Sequence, residues 1–170
     1  MKKILETKRL ILRKLVTSDD KELLEILADG GMPQWAEYGP PDINYAQEFI
    51  NRFIQSYKNN NFGVWAIIEK QNNKLIGYCG IHKIKINETE EKPELAYRIY
   101  KKLQGNGYAT EAANAVKDYA FNVLKLPAIV CCIAHDNQKS INVATKVGLT
   151  YWKEGSFKGK PCRVYKIVKK

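Results

Sequence analysis

Between residues 94 and 124 the sequence carries the ingredients of an anion cradle. The run Glu94-Leu95-Ala96-Tyr97-Arg98-Ile99-Tyr100 has strand character. It leads into Gln104-Gly105-Asn106-Gly107-Tyr108-Ala109-Thr110-Glu111, and a helical stretch continues to about Leu124. Strand, tight glycine turn and helix start is the order in which backbone N–H groups wrap a phosphate at the positive end of a helix. Two glycines also suit any turn that merely needs positive φ. Two familiar phosphate loops are excluded: no G-x-x-x-x-G-K-[ST] occurs, and Thr110 stands where a dinucleotide fingerprint needs its third glycine or alanine. Further on, Asn137 is placed to cap a helix that runs to Val147, with Gly148 just past its end.

Other chemistries find little support. Cys79, Cys131, Cys132 and Cys162 show no C-x-x-C spacing, and His82 and His135 sit in no zinc pattern, so no metal site is expected. Neighbouring Cys131 and Cys132 would point to opposite faces of a strand. The net charge of +10 comes mainly from scattered lysines, with arginine only at Arg9, Arg13, Arg52, Arg98 and Arg163. That distribution describes a solvated surface better than a nucleic-acid face, and it equally suits an anionic, phosphate-bearing cofactor. No apolar run approaches the ~18 residues of a membrane span. The opening MKKILETKRL lacks the apolar core of a secretory signal, so the expected location is cytoplasmic.

The elements that must position these residues follow from periodicity. The 170 residues suit one domain, 1–170, with no repeat or linker. A strand at Arg9–Arg13 precedes a helix carrying Leu23, Leu24, Ile26 and Leu27. A breaker-rich loop from Gly30 to Pro41 holds Trp35 and Tyr38, and a loop of that length with aromatics points to function. Tyr45, Phe49, Phe53 and Tyr57 recur at helical spacing. Strands 62–68 and 75–86 flank a hairpin turn at 71–74, and 87–93 reads as a polar connection before the strand at 94–100. A crossover helix, the apolar strand 128–134, the helix 137–147 and strands 149–157 and 162–168 complete the order β-α-α-β-β-β-α-β-α-β-β. The fold class is α+β: a mixed, mostly antiparallel sheet of about seven strands flanked by about four helices. Strands 94–100 and 128–134 should be its parallel pair, with a ligand where they end.

The residues from Gln104 to Ala112 resemble the pyrophosphate turn of the GNAT family of N-acetyltransferases. Asn137-Gln138-Lys139-Ser140 with Lys146-Val147-Gly148-Leu149 resembles that family's second signature. Glu6-Thr7-Lys8-Arg9-Leu10-Ile11-Leu12-Arg13 is similar to the branch that includes the ribosomal-protein N-terminal acetyltransferases. The resemblance spans nearly the whole chain and matches the element order. It departs at Lys102, where Gln or Arg is common, at Leu149 in place of Phe, and at Ala144, where many members carry a Tyr that protonates the leaving thiolate.

The resemblance implies transfer of an acetyl group from acetyl-CoA to a primary amine, a protein N-terminus or a small molecule, by direct attack on the thioester. Gln104, Gly105, Asn106, Gly107, Tyr108 and Ala109 would hold the diphosphate. Arg98, Ile99 and Tyr100 would flank the pantetheine arm, and Asn137 would bond it from the other side. Glu94 corresponds to a carboxylate that deprotonates the amine in parts of the family, with His82 and Glu37 as further candidates. Ser140 would stand in for the missing Tyr at the CoA sulfur. Trp35, Glu37 and Tyr38, with the helix of Tyr45 and the hairpin near Phe157–Pro161, would form the acceptor site. The alternative is a non-catalytic CoA-binding or RNA-associated domain on the same fold. An exposed strand could also support a homodimer.

Overall fold

The computed structural model describes residues 3–29 and 40–170. Trp35, Glu37 and Tyr38 therefore lie outside the described residues. Among the described residues eight strands form one sheet in the order β1-β2-β3-β4-β5-β6-β8-β7. They are β1 (Lys3–Glu6), β2 (Leu10–Lys14), β3 (Val64–Glu69), β4 (Lys74–Ile86), β5 (Glu90–Ile99), β6 (Ala128–Ile133), β7 (Thr150–Phe157) and β8 (Lys160–Val168). Four α-helices flank them: α1 (Asp20–Ala28), α2 (Ile43–Asn59), α3 (Tyr108–Asn122) and α4 (Gln138–Val147). All strand pairs are antiparallel except β5 with β6.

Two elements differ from the sequence expectation. The additional strand is β1, whose four residues pair with β2 across the Thr7–Arg9 corner; alone they are too short and too charged to read as a strand. The expected connection at 87–93 is mostly strand. Asn87 and Glu88 both take positive φ, 51° and 61°, and turn β4 directly into β5, which begins at Glu90. Pro93 lies inside β5 opposite Lys83. It precedes the position where β6 comes alongside, so no ladder on that side requires its missing N–H.

The helices divide between the two faces. On one face α2 presents Ala46, Phe49, Ile50, Phe53 and Tyr57, spaced at three, four, seven and eleven residues along one stripe. Phe49 meets Tyr78 of β4 with ring centroids 5.1 Å apart, and Phe53 meets His82 at 5.9 Å. On the other face α3 buries Ala112, Ala113, Val116 and Ala120 completely. Small side chains there let the helix axis approach the sheet closely. Tyr119 of α3 packs edge-on against Trp65 of β3 at 5.3 Å.

The parallel pair sets the site. β5 and β6 are in register only at Glu94 and Val130, although β5 is ten residues long and β6 six. Beyond Glu94 the two strands part. The sheet thus opens into a wedge on the C-terminal side of β5, just before the glycine turn.

Candidate active site

Parting strands leave backbone groups without partners, and buried ones must be satisfied. Side chains do this around the wedge. The amide of Cys132 donates to Glu94 Oε1 at 2.9 Å. The thiol of Cys131 donates to the carbonyl of Leu95 at 3.1 Å. The hydroxyl of Tyr97 donates to the carbonyl of Ser140 at 2.8 Å, tying β5 to α4 across the opening. Burial pushes the Tyr97 phenol far above its usual range, so it stays a proton donor.

Glu94 stands at the vertex. It is 8% exposed, and its second oxygen, Oε2, is 2.8 Å from Nε2 of His82, directly opposite on β4. Both side chains lie on the α2 face. Tyr97 is opposite Cys79, which is opposite Trp65, so it lies on the α3 face. A titratable pair therefore sits on one side of the wedge, and a phenol, with Ser140 beside it, on the other.

The glycine turn is left-handed at both glycines. Gly105 and Gly107 have φ of 85° and 79°, values that L side chains rarely adopt, and no atom lies within 4 Å of where a Cβ on Gly105 would be. Gly107 opens α3, whose first N–H groups face the turn. The turn is braced from behind. Arg9 donates through Nη1 to the Asn106 carbonyl at 2.8 Å and lies 4.3 Å over the ring of Tyr108. Its Nε reaches Glu111 Oε2 at 2.6 Å, while Thr7 and the Arg9 amide donate to Oε1 at 2.6 and 2.9 Å. Tyr108 also bonds Glu69 of β3.

The remaining candidates fall into place unevenly. Asn137 caps α4 by accepting from the Ser140 amide at 3.1 Å, and the Ser140 hydroxyl has no partner among the described residues. Gln104 spans the wedge mouth, donating to the Ile99 carbonyl at 3.1 Å and accepting from Lys139 at 3.1 Å. Ile99 is buried, and the Tyr100 amide donates to Ile76. The Arg98 guanidinium does not face the wedge. It donates to the carbonyls of Leu27 and Asp29 at 3.1 and 2.8 Å and anchors the end of α1. The Lys101 amide binds Asp29 Oδ2 at 2.5 Å, which holds the residue after α1 against the end of β5. Ala144 is fully buried on the Ser140 side of α4.

Sequence reasoning passed over Arg9, Glu111 and Tyr97 as site residues. The first two had a signal: an N-terminal motif and a turn that occur together. Tyr97 had none, because its partner is a main-chain carbonyl.

An acetyltransferase (GNAT) domain model matches residues 9–150. The chain belongs to the GNAT family. It is 31% identical over 161 residues to the uncharacterized protein YkkB of Bacillus subtilis, covering 95% of this chain and 93% of that one. It is 29% identical over 177 residues to the uncharacterized N-acetyltransferase YoaA of the same organism, covering 98% and 97%. An acetyltransferase structure from Agrobacterium tumefaciens superposes with a TM-score of 0.81 at 28% identity, covering 97% and 94%. This GNAT protein is an N-acetyltransferase, and its cofactor is acetyl-CoA. Among the described residues no group of His, Cys, Asp and Glu is arranged to hold a metal, and no helix is long and apolar enough to cross a membrane.

The residues present fit that cofactor. The left-handed turn and the first turn of α3 suit a diphosphate, and the wedge suits an extended amide arm bonding to strand edges.

Proposed function

We propose that the GNAT protein, as one domain over residues 1–170, acetylates a primary amine by direct attack on the thioester. The acceptor class is a protein N-terminus or a small-molecule amine. The observation that carries the reading is the wedge with titratable groups on both its faces. The Gln104–Ala109 turn holds the diphosphate. Arg98, Ile99 and Tyr100 contribute main chain alongside the pantetheine arm, and Asn137 adds its side-chain amide from α4.

The acetyl-CoA supplies an activated acetyl group; the protein supplies position and proton traffic. An alkylammonium, with a pKa of ~10, must lose a proton before it can attack. Glu94, with His82, serves that step from the α2 face. Bound acetyl-CoA would also supply the leaving group, its sulfur departing as a thiolate. Ser140, whose hydroxyl is uncommitted, donates to that sulfur from the α4 side. A main-chain N–H near Ile99 stabilises the oxyanion.

Trp35, Glu37 and Tyr38 are the proposed acceptor contacts, since the segment they belong to leaves α1 at Asp29, beside the wedge. The net charge of +10 disfavours a polycationic acceptor unless Glu37 and Asp42 make a local acidic mouth.

A thermal shift with acetyl-CoA, against NADH and ATP as controls, tests the cofactor site. Ligand at 100 times Kd adds ~2.7 kcal/mol, a rise of roughly 5–10 °C for a domain this size. Release of free CoA thiol in the presence of N-terminal peptides or small amines then tests transfer. Binding without transfer to any amine favours a non-catalytic CoA-binding domain.

A further inference from the structure

Glu94 is not a free base. One of its oxygens is engaged by the Cys132 amide and the other by His82 Nε2. A carboxylate oxygen accepts, so in the neutral imidazole that faces it Nε2 is the donor and the ring's lone pair is on Nδ1. Nδ1 has no hydrogen-bond partner among the described residues. His82 is also the outer member of the pair: its side chain is 25% exposed against 11% for Glu94. Phe53 packs edge-on against the ring and limits its rotation. On the α2 face the imidazole is thus the more accessible of the two groups to an incoming ammonium.

We propose that His82, through Nδ1, is the group that takes the proton from the acceptor amine, with Glu94 acting through it as a positioning residue. The inference rests on the amine acetyltransferase reading above. One ammonium N–H bond breaks, its electron pair stays on nitrogen as the nucleophile, and the proton moves to Nδ1. The resulting imidazolium is stabilised by Glu94, which the Cys132 amide holds in place, and it returns the proton to solvent through the exposed ring edge. The rival account is that the pair only stitches β4 to β5.

His82→Gln separates the two, because glutamine can still donate to Glu94 but cannot accept the proton as imidazole does. The substrates are butylamine, benzylamine and 2,2,2-trifluoroethylamine, in falling order of basicity, with kcat/KM read from CoA thiol release. We expect a loss of about 100-fold on butylamine and of less than about 10-fold on trifluoroethylamine, which is largely deprotonated already at neutral pH. Acetyl-CoA affinity should stay within about twofold, since His82 does not touch the cradle. If His82→Gln fails to fold, His82→Ala replaces it, and added imidazole should restore its rate on butylamine. An equal loss on all three amines, no loss, or no rescue overturns the role of His82. Wild-type protein that binds no acetyl-CoA, or transfers neither to these amines nor to N-terminal peptides, overturns the reading of the site itself, and the role of His82 with it.

Discussion

Arg9 donates a hydrogen bond to the main-chain carbonyl of Asn106 at 2.8 Å, across 97 positions of sequence. The same side chain binds Glu111 and covers Tyr108. The corner between β1 and β2 therefore grips the glycine turn and the first turn of α3 together. This explains why the N-terminal motif and the glycine turn occur in one chain: the first holds the shape of the second.

Arg9→Gln should weaken acetyl-CoA binding about 10-fold, or ~1.4 kcal/mol, because the turn loses its brace while its own residues remain. Calorimetric titration measures this directly. An affinity within twofold of wild type would show that the turn keeps its shape without Arg9.

The two bonds of Glu94 separate stability from turnover. Glu94→Ala leaves the Cys132 amide without its acceptor and should cost ~1–3 kcal/mol in urea unfolding. Glu94→Gln retains an oxygen for that amide, so it should cost less than half as much. Its turnover should nonetheless fall about 100-fold with acetyl-CoA binding intact. Equal stability of the two variants would mean the Cys132 bond carries no weight.

Ser140→Ala should slow turnover by only about 3–10-fold, since a thiol with a pKa of ~8.5 needs modest help to leave. Tyr97→Phe, which removes the bridge to the Ser140 carbonyl, should cost ~1 kcal/mol of stability. A Ser140→Ala enzyme as fast as wild type would take the hydroxyl out of the reaction.

Glu111 makes the brace sensitive to acid. Burial raises its carboxyl pKa, but the bonds from Thr7, the Arg9 amide and the Arg9 guanidinium outweigh this and hold it below the usual 4.5. A carboxyl with a lower pKa folded than unfolded contributes stability above the unfolded value and loses it as pH falls through the folded one. The stability gap between wild type and Glu111→Gln should therefore be full at pH 7 and shrink below about 4.3. Urea unfolding at several pH values reads it, and a gap that does not change with pH would contradict it.

Much of the cradle was legible from sequence because its causes are local. Gly105 and Gly107 are needed where φ is positive, Asn137 caps α4, and Gly148 ends it at a φ of 100°. The crossover from β5 through α3 to β6 follows from an apolar strand, a helix and an apolar strand in succession. Lys3–Glu6 was missed because a short charged strand exists only through its partner. The start of β5 was missed because Pro93 and its charged neighbours resemble a connection. The Arg98 side chain turns to α1, where it bonds the carbonyls of Leu27 and Asp29, a contact across 71 and 69 positions that no local pattern signals.

The sequence by itself thus determined the order of elements, the glycine turn, the helix cap and, through its motifs, the family and cofactor. Tertiary structure alone decided that β5 and β6 part after one paired position. It also decided that Glu94 fills the vertex between His82 and the Cys132 amide, and that Tyr97 faces Ser140 on the opposite side. The physical reason is that helix periodicity, caps and glycine dihedrals are set within a few residues. Strand register and the parting of two strands are settled by the packing of the whole sheet against α2 and α3, which no short stretch of sequence encodes.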